Sequence, residues 1–263
     1  MKSIKQRGVS NIQKLIITAD DFGISSAVNK GILECAHNKA ITGTSVMANG
    51  ILEGIKEIQA LNYMAIGVHL NLTHLEPISN NFPPSLLTEN GRFQYWFIVD
   101  GKPVYSIEDD VLEEEYIAQI ERVGNITEIH YLDHHHHLHQ SEKCFNVITK
   151  VAKKYKLPVR AVTDSLGEQL RRVEIPSVDT CVLDFFGENG NESTLKEALL
   201  KTKFERIELV THPGISSDID DNDDYDKKYR DMERKILTDK KVRNWIAQNY
   251  ELISYKDIRK EFI

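Results

Sequence analysis

The stretch "LIITADDFGISSAVNKGI" (residues 15–32) reads as a β-strand that stops on two carboxylates and turns into a helix. Leu15–Ala19 is short, apolar and β-rich, and Asp20 and Asp21 close it. From Ser26 to about Asn38, Val28, Gly31, Ile32 and Cys35 fall on one side at helical spacing. The same pattern recurs along the chain. Further strand candidates are Thr42–Met47, Ala65–Leu72, Glu128–Leu132, Val159–Thr163, Cys181–Phe185, Ile207–Thr211 and Glu251–Ser254. Helical spacing returns over 111–123, 141–155 and 225–249. Strands alternating with helices predict an α/β fold of parallel strands joined by helical crossovers.

With 263 residues, 41% of them apolar, the chain is long enough for a sizeable core. It has no Pro-, Gly- or Ser-rich linker and no internal repeat, so a single domain over residues 1–263 is expected. The balance of 33 basic against 40 acidic residues, net −7, gathers no basic patch and argues against nucleic acid as a partner. Cys35, Cys144 and Cys181 are odd in number and have no CxxC spacing, which points to a reducing compartment rather than a disulfide framework or a thiolate zinc site. No apolar run suits a signal peptide or approaches the ~18 residues of a membrane span, so a soluble cytoplasmic protein is expected. Residues 74–109 break the alternation with Pro77, Pro83, Pro84, Gly91, Gly101 and Pro103, and carry Phe82, Phe93, Tyr95, Trp96 and Phe97. A connection this long predicts an active-site loop whose aromatics stack on a ligand; a decorated surface insertion, or aromatics that cover a neighbouring subunit of a homo-oligomer, are the alternatives.

Ligand-type side chains collect at strand ends. Asp20 and Asp21 follow the first strand, His69 and Asn71 sit in the third, Asp133 and His135 follow the fourth, and His212 follows Ile207–Thr211. In a parallel barrel the active site is built at those ends. In "AIGVHLNL" (65–72), Ile66, Val68, Leu70 and Leu72 share one face while Gly67, His69 and Asn71 share the other, so His69 should point inward. In "EIHYLDHHHHLH" (128–139), Tyr131, Asp133 and His135 have one parity and His130, Leu132, His134 and His136 the opposite one. Neutral imidazoles with a carboxylate are a donor set for a catalytic divalent ion. Each motif alone also has a plain reading: a helix N-cap for the acid pair, a structural histidine for His69, a turn residue for His212.

Together, "ITADDFGISSAVNKGI", "ITGTSVMANG", "AIGVHLNLT", "HYLDHHHHLH" and "LVTHPG" resemble the YdjC-like carbohydrate deacetylases, over nearly the whole chain. The resemblance implies a modified (β/α) barrel of the glycoside hydrolase/deacetylase type. It implies one divalent ion, described in the family as magnesium, with zinc or another transition metal also compatible. The implied metal ligands are Asp21, His69 and His135. His134 departs from the family's small polar residue, and a bulged strand end would make it the ligand instead; Gly43 replaces a common serine. Around such an ion Asp20 is assigned as general base and His212 as the group that protonates the departing amine. Asp133, His139, Arg160 and Asn71 are assigned to substrate binding or to support behind the ligands. The expected reaction is removal of an N-acetyl group from an amino sugar or short oligosaccharide, free or phosphorylated. Cleavage of a phosphorylated disaccharide such as cellobiose phosphate is the alternative, and a non-catalytic sugar-sensing protein is the alternative from another class.

Overall fold

The computed structural model describes residues 12–94, 106–216 and 227–262. Among the described residues seven parallel strands form one curled sheet: β1 (Lys14–Phe22), β2 (Gly43–Val46), β3 (Ala65–Leu70), β4 (Tyr131–His134), β5 (Thr180–Val182), β6 (Arg206–Thr211) and β7 (Glu251–Leu252). The order is β4-β3-β2-β1-β6-β5, with β7 added at the start of β1. Helices α1 (Ser26–His37), α2 (Ile55–Ala60), α3 (Asp109–Gly124), α4 (Glu142–Tyr155), α5 (Asp164–Arg172), α6 (Glu192–Lys201), α7 (Lys227–Thr238), α8 (Lys240–Asn249) and α9 (Tyr255–Arg259) link or cover the strands. The α/β expectation is met: every ladder is parallel, and the sheet curls into an incomplete barrel.

The local reasons are legible. Ser25 caps α1 by accepting from the Val28 N–H, and Ser141, Thr163 and Asn191 cap α4, α5 and α6 in the same way. β1 is central, buried along all but its first residue, and pairs with β2, β6 and β7. Among the described residues no helix is long and apolar enough to cross a membrane.

Several elements depart from the sequence reading. The fifth expected strand, 159–163, makes only one bridge, Val159 to Leu132, because Thr163 already serves as the cap that turns the chain into α5. The long helix expected over 225–249 breaks at Asp239, whose side chain accepts from the Lys241 N–H and starts α8. Helices α2, α5, α6 and α9 have no counterpart among the helices expected from sequence. In the 74–109 segment Phe82 and Phe93 are buried and meet edge-to-face at 5.1 Å, so they pack on each other rather than offering rings to a ligand. Tyr95, Trp96, Phe97, Gly101 and Pro103 lie outside the described residues.

Gly67 shows how tightly the sheet's inner face is filled. It pairs in register with Tyr131, and a Cβ there would lie 2.4 Å from the Tyr131 ring, which is itself stacked on Tyr255 at 4.0 Å. Gly67→Ala is expected to lower stability by about 1–3 kcal/mol through overpacking, read as a drop in the urea midpoint at unchanged m-value. An unchanged midpoint would show that the stacked tyrosines can shift at no cost.

Candidate metal centre

β1 does not end where its apolar run ends. It continues through the acid pair to Phe22, with a register shift against β2 between Ala19 and Phe22. Asp21 takes a left-handed backbone, φ 69°, which aspartate tolerates better than most side chains. This bulge defeats strand alternation, so both neighbours join one buried cluster: Asp20 with Arg160, and Asp21 with His69 and His135.

β3 and β4 are registered so that His69 stands opposite Asp133. The Asp133 carboxylate lies 2.8 Å from His69 Nδ1, which turns Nε2 toward β1. There Nε2 is 3.3 Å from Asp21 Oδ1 and 3.2 Å from His135 Nδ1, and His135 Nδ1 is 3.0 Å from the same Asp21 oxygen. Donors sharing one ion at about 2.0–2.2 Å and near right angles stand roughly 3 Å apart. Asp21 Oδ1 is buried and receives no well-directed hydrogen bond. These three atoms could hold one divalent cation. His135, not His134, points here: the His134 ring packs against Tyr116 at 5.6 Å, and its Nδ1–H donates to the His135 carbonyl at 2.7 Å.

Behind the donors lies a charged frame. Arg160 grips Asp20 with two bonds of 2.7 Å, reaches Asp133 at 2.8 Å, and contacts Glu208 at 2.8 and 3.0 Å. Ser45 donates its hydroxyl to Asp133. Arg230, from α7, holds the outer oxygen of Asp21 at 2.9 Å. Four carboxylates thus contact two guanidiniums and the His69 ring in a buried cluster, a balance that leans negative and suits a cation.

The ionisation states follow from this crowding. Burial would lower the His69 pKa, yet the charges of Asp133 and Asp20 push it up to about 10. Burial raises Asp20 against the pull of Arg160. Burial would raise Asp21 as well, but His135 and Arg230 hold it well below the usual carboxylate range. For His135, burial prevails over the nearby Asp21 charge and pushes the ring down to about 3. His212 follows β6 at the rim; its backbone N–H donates to Glu233 at 2.6 Å, its ring meets Phe186 at 5.1 Å, and burial pushes the ring pKa down to about 4 although Asp21 and Asp20 oppose this.

Of the residues singled out from sequence, Asp20, Asp21, His69, Asp133, His135 and Arg160 converge, with His212 within electrostatic reach of both aspartates. Arg160 is fully buried among three carboxylates, so it supports the centre and offers no donor to a substrate. Asn71 does not face the donors; its side chain shapes the following turn by accepting from Thr73 and His74. His139 is fully buried and its Nε2 lies 3.1 Å from the Arg160 carbonyl, behind the charged frame. Sequence reading overlooked Glu208, Arg230, Glu233 and His137. A lone glutamate in the apolar run "RIELVT" (206–211) was a visible signal for Glu208; Arg230 and Glu233 sat unremarked in a helix read as charged surface.

The curled parallel sheet with an aspartate–histidine cluster at its carboxyl rim defines an α/β protein of the deacetylase-barrel type. The family model for YdjC-like proteins matches residues 14–248, and the chain belongs to that family. A carbohydrate deacetylase of Thermoanaerobacter pseudethanolicus is 30% identical over 94% of this chain and 99% of its own. The chitooligosaccharide deacetylase of Proteus mirabilis is 28% identical over 93% of this chain and 98% of its own. Among solved structures, an Enterococcus faecalis V583 protein described as a candidate for cellobiose-phosphate cleavage superposes with a TM-score of 0.81 at 27% identity, covering 94% of this chain and 99% of that one.

Proposed function

We propose that this chain is a metal-dependent carbohydrate deacetylase, a hydrolase that removes an N-acetyl group from an amino sugar or a short chitooligosaccharide-like chain. The observation that carries the reading is the triangle of Asp21, His69 and His135 donors beside an Asp20 that Arg160 clamps. The family's named deacetylases agree with it. Bound by that triangle, a divalent ion supplies Lewis acidity toward an amide carbonyl and makes water more acidic.

The chain's own residues supply the rest. Asp20 takes the proton from the attacking water; burial makes its carboxylate a stronger base, and the two-pronged Arg160 contact fixes its direction. Asp133 holds the His69 ring by Nδ1, and Arg230 holds Asp21, so both ligands are aimed before an ion arrives. His212 enters neutral, so the proton it hands to the departing amine is the one Asp20 took from the attacking water. The chain acts as one catalytic domain, and the 74–109 segment borders the site at its first residue, His74, whose ring lies 4.8 Å from that of His135.

Asp20→Asn is expected to lower kcat by about 10²–10⁴-fold while the protein still binds its ion. Acetate release from N-acetylated di- and trisaccharides measures the first, and metal analysis the second; unimpaired acetate release by the variant would remove Asp20 from the mechanism. Cleavage of a phosphorylated disaccharide is the competing reading, drawn from the Enterococcus protein's description. It is weakened because Arg160, a residue considered from sequence for substrate binding or support, is consumed by three carboxylates. Release of monosaccharides without acetate would favour it.

A further inference from the structure

Two histidines not used by the first centre lie beside His135. His74, in the loop after β3, and His136, in the turn after β4, flank His135, and one donor atom from each of the three lies within 4.8 Å of the others. The His135 ring meets that of His74 at 4.8 Å and that of His136 at 3.9 Å. His135 Nδ1 faces Asp21, whereas its Nε2 is buried and has no hydrogen-bond partner. His135 is 7% exposed, while its two neighbours are only half-buried and within reach of solvent.

The surroundings hold these rings in place. The His74 carbonyl accepts from Asn71 Nδ2 at 2.6 Å and Asn49 Nδ2 at 2.9 Å, and its N–H donates to Asn71 Oδ1 at 3.1 Å. His136 and His137 both adopt φ 56°, a left-handed pair of bulky residues that persists only where the surroundings enforce it. Thr73 Oγ1 sits between His74 Nδ1 and His136 Nδ1, at 3.3 and 3.0 Å.

We infer that His74, His135 and His136 form a second cation site, selective for a transition ion of the zinc class, that shares His135 with the Asp21 centre. Three neutral imidazoles without a carboxylate suit zinc, cobalt, nickel or copper, whereas magnesium and calcium require oxygen donors. A three-histidine set also leaves a coordination place open, as in catalytic zinc sites. When both sites fill, the bond from His135 Nε2 to the second ion forms as that nitrogen releases its proton to solvent, and the ring bridges the two ions. The inference rests on the metal reading of Asp21, His69 and His135 only through the shared ring, and not at all on the substrate.

The test is equilibrium dialysis of the chelator-stripped full chain against Zn²⁺ and, separately, Mg²⁺. Wild type is expected to bind two zinc ions but one magnesium. His74→Gln and His136→Gln should each bind one zinc, with the second dissociation constant raised more than about tenfold. Asp21→Asn should keep the ion that depends on His74. Thermal melts in chelator matching wild type show that the variants fold. If wild type binds one zinc, lost in Asp21→Asn and kept in both glutamine variants, the second site is overturned and the first reading stands. Two zinc ions indifferent to both glutamine variants overturn it as well. A lone zinc kept by Asp21→Asn and lost in His74→Gln supports the second site and overturns the first reading.

Discussion

Replacing Arg160 with leucine is expected to destabilise the protein by at least about 3–5 kcal/mol at neutral pH, because it strands buried carboxylates rather than merely losing contacts. Asp20, Asp133 and Glu208 all converge on this one guanidinium, and all four side chains are essentially inaccessible. Arg160→Lys should recover only part of the loss, since a single ammonium cannot serve both oxygens of Asp20 and two further acids. The electrostatic origin has its own signature: once the stranded acids can protonate, they need no counter-ion. The penalty should therefore shrink as pH falls from 7 to 5, whereas a penalty from lost packing would stay constant. Urea unfolding of wild type and both variants in chelator, at several pH values, reads this directly. A loss below about 1 kcal/mol, or one that ignores pH, would show that the acids are already neutral or hydrated.

The same frame explains which parts of the centre could be read from sequence. Strand alternation placed His69 inward, and the register of β3 against β4 then put Asp133 behind it. Alternation failed at Asp20 and Asp21, because the bulge and the left-handed Asp21 are backbone decisions that no period-two pattern encodes. It also left His134 and His135 open. The left-handed pair His136–His137 turns the chain immediately after β4, while His134 packs against α3 and His135 faces β1. Arg230 was hidden for another reason. It comes from α7, remote in sequence from Asp21, and a helix rich in charge gives no local sign of which charge is turned inward. The strand at 159–163 was overread because buried Ala161 and Val162 look the same in a strand as in an irregular segment packed under one.

Acid is expected to unfold the metal-free protein well above the pH at which carboxylates titrate. The cause is the histidine crowd. His135 is pushed down to about 3, His139 and His212 to about 4, and His134 and His137 lie well below their ordinary value, with burial the largest cause in each. An unfolded histidine titrates near 6.5. As pH falls below 6.5 the unfolded chain therefore takes up protons that the folded chain refuses, and stability is lost progressively until pH reaches the folded values near 3–4. Each fully coupled group contributes a slope of about 1.4 kcal/mol per pH unit, so three of the five would remove about 4 kcal/mol per unit from a reserve of typically 5–15 kcal/mol. His69 runs the other way: raised to about 10 against the effect of burial, it contributes stability fully present below 6.5 and lost as pH rises toward 10. Asp21 and Asp133, lowered despite burial, keep their contribution until pH falls below about 3.8 and so do not shape this window. Unfolding free energy of the chelated protein should thus peak near neutrality and drop steeply between pH 6.5 and 5. A profile flat across that interval would mean that the cluster takes up protons without unfolding, and that water enters the site more freely than its burial implies.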